Sequence, residues 1–309
     1  MVITVTLNPA MDKTLNIDDF NVGVVNRVGS IRYDIGGKGI NVSKVLKNFN
    51  VESKCTGFIG GMWESSFKEE LEKRKINNEF ITINGDTRTN TKVVDDLNKV
   101  YTDINEAGPN ISHDELEVFI NKFKAMCNKD DIVVLSGGVA PGIEKNIYGT
   151  LTKIAKDNGA FVILDAEGEL LSEGIKEKPY IIKPNDMEFE LLLGKKFKNN
   201  DDIIEGAKEV IAKGVSNVLI SLGSKGALFV TKDKAYYAKG LVVPVKSTVG
   251  AGDSMVAAFV YGIINGLNEM EILRFSIACG AASVSTEGTE ACSLEDVQEL
   301  LKRVEVEEV

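Results

Sequence analysis

The stretch Ser247-Thr248-Val249-Gly250-Ala251-Gly252-Asp253-Ser254 sets a glycine-rich turn at the mouth of a helix and a carboxylate just inside it. Val256, Phe259, Val260, Ile263 and Ile264 recur at i, i+3, i+4, i+7 and i+8, the spacing of one apolar helix face. The N–H groups of Gly250, Ala251 and Gly252 have no preceding helical turn to bond to, so they point outward at the positive end of the helix dipole. Such a turn holds phosphate, and glycine lets the ligand come close to the backbone. Asp253 stands where it can take a proton from a hydroxyl attacking that phosphate. The chemistry is that of phosphoryl transfer, although an acid in the first turn of a helix also suits the dipole for purely structural reasons. Two better-known glycine motifs are excluded. A dinucleotide fingerprint needs Gly or Ala at Met255, and a Walker A loop around Gly37-Lys38 needs Gly at Arg32 and Ser or Thr at Gly39.

Tyr33-Asp34-Ile35-Gly36-Gly37-Lys38-Gly39-Ile40-Asn41 is a second strand-to-helix turn. Its backbone can approach a ligand, while Lys38 and Asn41 can reach sugar oxygens or a phosphate. Val42, Val45, Leu46 and Phe49 form an apolar stripe on the helix that follows, predicted over 38–49.

The elements that must position these turns alternate along the chain. Strands are predicted at 2–6, 53–58, 132–135, 161–164, 180–182 and 218–221, with helices at 114–126, 145–157 and 202–213 between them. That order implies an α/β fold with a mainly parallel sheet covered by helices on both faces. Segments 227–230 and 235–238 have the pattern of an antiparallel hairpin. Residues 14–35 and 88–104 break the alternation with polar-rich strand patterns, and are expected to leave the main sheet as a small β-layer, a lid over the ligand. No linker or repeat divides the chain, so one domain spanning 1–309 with this lid is expected.

Composition narrows the classes. The 309 residues are enough for one large α/β domain, and 43% hydrophobic with 27% charged residues fits a globular protein. A net charge of -10 offers no global field for nucleic acid or an anionic membrane surface, so an anionic substrate needs a local basic pocket. Cys55, Cys127, Cys279 and Cys292 lack C-x-x-C spacing and His113 is the single histidine, which excludes zinc and Cys/His chemistry. Unpaired thiols, an N-terminus that reads as a strand, and the lack of an apolar run of about 20 residues point to the cytoplasm.

Gly36-Gly37-Lys38-Gly39-Ile40-Asn41-Val42-Ser43 and Ser247-Thr248-Val249-Gly250-Ala251-Gly252-Asp253, in this order, resemble the two signatures of the PfkB branch of ribokinase-like sugar kinases. Leu7-Asn8-Pro9-Ala10-Met11-Asp12-Lys13-Thr14 and Thr87-Arg88-Thr89-Asn90 are similar to the part of that family that holds 1-phosphofructokinase and tagatose-6-phosphate kinase. The resemblance implies a three-layer α/β/α ribokinase-like fold and a phosphotransferase acting on an alcohol group. It makes Asp253 the catalytic base and Gly250, Ala251 and Gly252 the anion hole. Asp12, Gly37 and Asn41 would hold sugar hydroxyls, and Arg27, Lys38 and Arg88 the phosphate already on the sugar. Lys183, Asn185, Ser224 and Gly226 would contact ATP. Glu188, in the motif Asn185-Asp186-Met187-Glu188, would organise water around Mg²⁺; the same spacing also makes a capping box.

The partners implied are ATP and a phosphorylated ketohexose, with a homodimer formed through the lid, and no nucleic acid or membrane. Mg²⁺ with ATP is the implied cofactor, and K⁺ a further one. Ser247 stands where many relatives have Asp, which would alter a K⁺ site, and Gly137 follows Ser136 where relatives commonly have a second serine. The expected reaction is phosphorylation of D-fructose 1-phosphate at the 6-hydroxyl. A tagatose-6-phosphate kinase and, in another class, a non-catalytic sugar-phosphate sensor are the alternatives.

Overall fold

The apolar runs Val2–Thr6 and Ile132–Ser136 show no polar alternation because both faces of the strands they form are buried under helices. A computed structural model describes residues 1–288 and 290–309. The chain begins with β1 (Val2–Thr6), β2 (Ala10–Asn16), β3 (Ser30–Gly36) and α1 (Lys38–Asn48), followed by β4 (Ser53–Gly60) and α2 (Glu64–Lys73). Next come β5 (Asn77–Asn78), β6 (Ile81–Ile83), β7 (Arg88–Asp95), β8 (Val100–Asn105), α3 (His113–Met126) and β9 (Ile132–Ser136). The middle of the chain forms α4 (Ile147–Asp157), β10 (Phe161–Asp165), α5 (Gly168–Ile175), β11 (Ile181–Ile182), α6 (Asp186–Leu193) and α7 (Asn200–Ala212). It ends with β12 (Asn217–Ser221), β13 (Gly226–Val230), β14 (Ala235–Lys239), α8 (Ala251–Ile264), α9 (Glu269–Val284), α10 (Leu294–Leu301) and β15 (Val306–Glu308).

The large sheet has the order β15-β14-β13-β12-β11-β10-β9-β1-β4-β5, with β6 also on β4. Pairing is parallel from β4 through β12 and antiparallel from β12 to β15. One face packs on α3, α4, α5 and α7 through residues such as Phe119, Tyr148, Leu171 and Val210. The other packs on α1, α8 and α9 through Val45, Phe259 and Leu273. These are the expected three layers, and the hairpin β13–β14 is antiparallel as its sequence indicated. After β1 the chain moves to β4 on one side, then crosses to β9 on the other, so a crevice opens at the carboxyl ends beside β1. No helix among the described residues is long and apolar enough to cross a membrane.

The second sheet, β3-β2-β7-β8, stands apart as the polar-rich segments indicated. Its boundaries differ from the expectation: β2 starts at Ala10, because Leu7-Asn8-Pro9 ends the run of β1, and beyond the buried Ile17 residues 18–29 form a largely exposed connection rather than strand. Strand alternation sorts the sheet into two faces. Asp12 pairs with Asp34 and Asn90, and Thr14 with Arg32 and Lys92, so the polar face looks toward the crevice. The opposite face carries Ile31, Tyr33 and Ile104, each about half exposed.

Candidate active site

A cavity of ≈ 510 Å³ lies between the polar face of the second sheet and the carboxyl ends of the large one. At its floor, Gly250 takes the left-handed conformation (φ 84°) and α8 starts at Ala251, with no side chain among the described residues capping its N-terminus. The unpaired amides of that first turn are therefore left for a ligand. A Cβ on Gly252 would lie 3.1 Å from Lys183 Nζ, so the ammonium group sits directly over the helix start. Gly250 and Gly252 line the cavity, with Ala251 between them.

Asp253 is 5% exposed and accepts a hydrogen bond from Asn41 Nδ2 at 2.9 Å. Burial, then the negative charge of Asp165, raises its carboxyl to about 6, against the opposing pull of Lys38, Asn41 and Lys183. A buried carboxylate ionising near neutrality, next to an anion-binding helix end, is suited to proton abstraction.

The N-terminus of α1 reaches the site because it carries no side chains where it crosses β1. Gly37 has φ 134° and its Cβ would lie 2.5 Å from Thr6 Cγ2; that of Gly39 would lie 2.7 Å from Thr6 Oγ1. Lys38 and Asn41 thereby face the cavity. Lys38 Nζ and Lys183 Nζ each lie 3.3 Å from Asp165 Oδ1, and Ser136 Oγ donates to Asp165 Oδ2 at 3.2 Å. Burial pushes the Asp165 carboxyl up, but Lys183 and then Lys38 outweigh it and hold the group below the usual carboxylate range. Asp165 in turn is the main cause of the raised Lys38 pKa. Asp165 was absent from the sequence-based candidates. The available signal was a carboxylate ending the apolar strand Phe161–Leu164, at the edge where α/β sheets bind ligands.

On the second sheet, Asp12 Oδ1 accepts from Asn90 Nδ2 at 3.1 Å, and burial raises the Asp12 carboxyl pKa despite Asn90, Lys44 and Arg88. Arg88 is held by backbone carbonyls: its Nε and Nη2 donate to Asn8 O at 3.3 and 3.2 Å, and Nη1 to Glu106 O at 3.0 Å. Arg32 and Lys92 also line the cavity, two cations the sequence reading missed; strand register alone puts them beside Thr14. Arg27 is exposed on the connection between β2 and β3 and does not line the cavity.

Lys183 follows β11, and Asn185 caps α6. Asn185 Oδ1 accepts from Glu188 N, and Glu188 Oε2 from Asn185 N, both at 2.8 Å. The capping box is therefore formed, yet both residues line the cavity, and Glu188 Oε1 has no hydrogen-bond partner among the described residues. Also among the described residues, no cluster of three or more His, Cys, Asp or Glu side chains is arranged to hold a metal directly. One free carboxylate oxygen fits Mg²⁺ held through water, which that ion retains readily. Ser221 bridges to Asn185 through the backbone and lines the cavity, whereas Ser224 and Gly226 do not. Gly226 is buried at φ 113° and its Cβ would meet Ala238 O, so the hairpin explains this glycine. Ser247 Oγ accepts from Val249 N at 3.3 Å and shapes the turn before α8.

The chain is 35% identical to 1-phosphofructokinase of Bacillus subtilis over 99% of both chains. It is 33% identical to tagatose-6-phosphate kinase of Staphylococcus epidermidis over the full length of both. The crystal structure of phosphofructokinase-2 from Escherichia coli in complex with potassium is similar with a TM-score of 0.93, at 26% identity over 98% of each chain. Residues 5–296 match the pfkB family carbohydrate kinases, and with full-length relatives of this kind the chain belongs to that family of phosphotransferases.

Proposed function

We propose that the protein transfers the γ-phosphate of ATP to the 6-hydroxyl of D-fructose 1-phosphate, giving fructose 1,6-bisphosphate and ADP. The observation that carries this reading is the buried Asp253 at the open N-terminus of α8, with cations on both flanks of one cavity. Phosphoryl transfer passes through a loose transition state, so positioning and charge neutralisation matter more than a strong base. Lys183 and the amides of Gly250, Ala251 and Gly252 receive the transferred phosphate. Asp253 takes the proton of the attacking hydroxyl, while Asn41, Gly37 and Asp12 orient the sugar. Lys38 and Arg88, with Arg32 and Lys92, hold its existing phosphate. Asn185 contacts ATP, and Glu188 would hold Mg²⁺ through water, where the ion would supply charge neutralisation on the ATP phosphates. The second sheet acts as a lid that excludes water from the transfer.

The deciding experiment is ADP release with MgATP and, separately, fructose 1-phosphate, tagatose 6-phosphate and fructose 6-phosphate. A strong preference for the first is expected. Preference for tagatose 6-phosphate, the reading that the Staphylococcus epidermidis relative favours, would keep the mechanism and change the substrate. Silence on all three would leave a non-catalytic sensor.

The base must be ionised to act, so kcat/KM should rise with pH through about 6 and level off above, following the Asp253 carboxyl. A profile flat from pH 5 to 8 would remove Asp253 from that role.

The exposed apolar face of the second sheet, with Ile31, Tyr33 and Ile104, supports a homodimer in which two such faces meet. Sedimentation of the intact protein should give a dimer, and of an Ile31→Glu/Ile104→Glu variant a monomer. A monomer for the intact protein at micromolar concentration would overturn the assembly.

A further inference from the structure

Lys44 is a buried lysine one turn beyond Asn41 on α1, 4% exposed, and no part of the mechanism above uses it. Its Nζ donates to Ile35 O at 2.5 Å and lies 3.5 Å from Asn41 Oδ1. The other end of the same amide, Asn41 Nδ2, donates to Asp253 Oδ2 at 2.9 Å. An asparagine amide is nearly symmetric in shape, so its surroundings decide which end points where. A flipped Asn41 would set its oxygen against the carboxylate of Asp253 and its NH₂ against an ammonium group. Both contacts would be repulsive.

We infer that Lys44 is a positioning residue of the active site: its ammonium holds Asn41 Oδ1 and thereby keeps the Asn41 NH₂ donated to Asp253. This inference rests on Asp253 being the base. Lys44 does not act on Asp253 directly, since the charges that influence that carboxyl are Asp165, Lys38 and Lys183. It is surrounded instead by Arg74 at the C-terminal cap of α2, Asp34 of β3, Asp12 of β2 and Glu70 of α2. Burial and Arg74 bring its ammonium down to about 8, so below that pH it remains charged and able to orient the amide.

Replacement by methionine removes the charge while leaving an apolar chain beside Met11, Ile35 and Trp63, which line the same recess. In Lys44→Met, kcat is expected to fall about ten-fold, with the acidic limb of kcat/KM moving to higher pH because Asp253 loses a hydrogen bond that favours its charged form. Lys44→Arg should restore most of both. In an Asn41→Leu background, Lys44→Met should add less than a two-fold change, because the group through which it acts is gone. Carbon-13 NMR of the Asp253 carboxyl, assigned against Asp253→Asn, should show the same upward shift in Lys44→Met without any substrate present. The inference is overturned if Lys44→Met changes only thermal stability, or costs the same factor with and without Asn41. The NMR titration separates the two readings. An unmoved Asp253 refutes the role of Lys44, whereas inactive wild-type protein with a moved Asp253 refutes the proposed reaction.

Discussion

Asp253→Asn is expected to lower turnover by about 10²–10⁴-fold, the range a positioned general base contributes, with the sugar-phosphate KM little changed. Asparagine keeps the shape and can still accept from Asn41, but it cannot take a proton. The same variant should be more stable than wild type. The carboxyl is raised from 3.8 to about 6 in the fold, so between those values the native state binds more protons than the unfolded one. Stability therefore falls as pH rises from about 4 to about 6, and the ionised, fully buried group costs roughly 3 kcal/mol above that. Asparagine removes this cost. Lost turnover with a raised melting temperature at pH 7 is the expected pair of results. Near-normal turnover would sink the catalytic assignment, and a lowered melting temperature would sink the account of its burial.

Asp165→Asn should act in the opposite sense on stability, and it should also move the pH profile. Asp165 is wholly buried and neutralises Lys183, itself 5% exposed, together with the more accessible Lys38. Removing one partner of a buried pair leaves the other charge uncompensated, typically a loss of about 3–5 kcal/mol. Partial exposure of Lys38 places the expected loss at the lower end, near 3 kcal/mol. With both ammonium groups released, the two phosphates they should meet are misplaced, and a shift of about 1 Å costs on the order of 10²-fold in kcat/KM. The negative charge of Asp165 is also a cause of the raised Asp253 carboxyl, so its loss should move the acidic limb to lower pH. A pH–rate profile and a thermal melt on one preparation test both points. An unmoved or upward-shifted limb would contradict the electrostatic coupling between the two carboxylates.

Much of this molecule follows from local rules that a single sequence displays. The apolar runs at Val2–Thr6, Ile132–Ser136 and Phe161–Asp165 have the length and lack of alternation of strands buried on both faces. The stripe Val42, Val45, Leu46 and Phe49 determines a helix, and glycines at 37, 39, 250 and 252 allow turns that a Cβ would obstruct or strain. The two glycine turns, Lys38, Asn41 and Asp253 were legible for that reason: chain geometry requires these residue types within a few positions of one another.

Tertiary structure decided what depends on strand order and register. Asn41 and Asp253 are 212 residues apart and meet because α1 and α8 pack on the same face of the sheet. Arg32 and Lys92 enter the cavity, and Arg27 stays outside it, because register within the second sheet and not motif spacing chooses which side chains face inward. Asp165 becomes the partner of two lysines from different elements only when β10 and β11 lie side by side. Lys44 passes for an ordinary polar residue of an amphipathic helix until β3 closes over it and its charge has one carbonyl and one amide left to satisfy. Local propensity and turn sterics are written within a few residues, whereas desolvation and charge pairing are sums over neighbours that only the folded arrangement brings together.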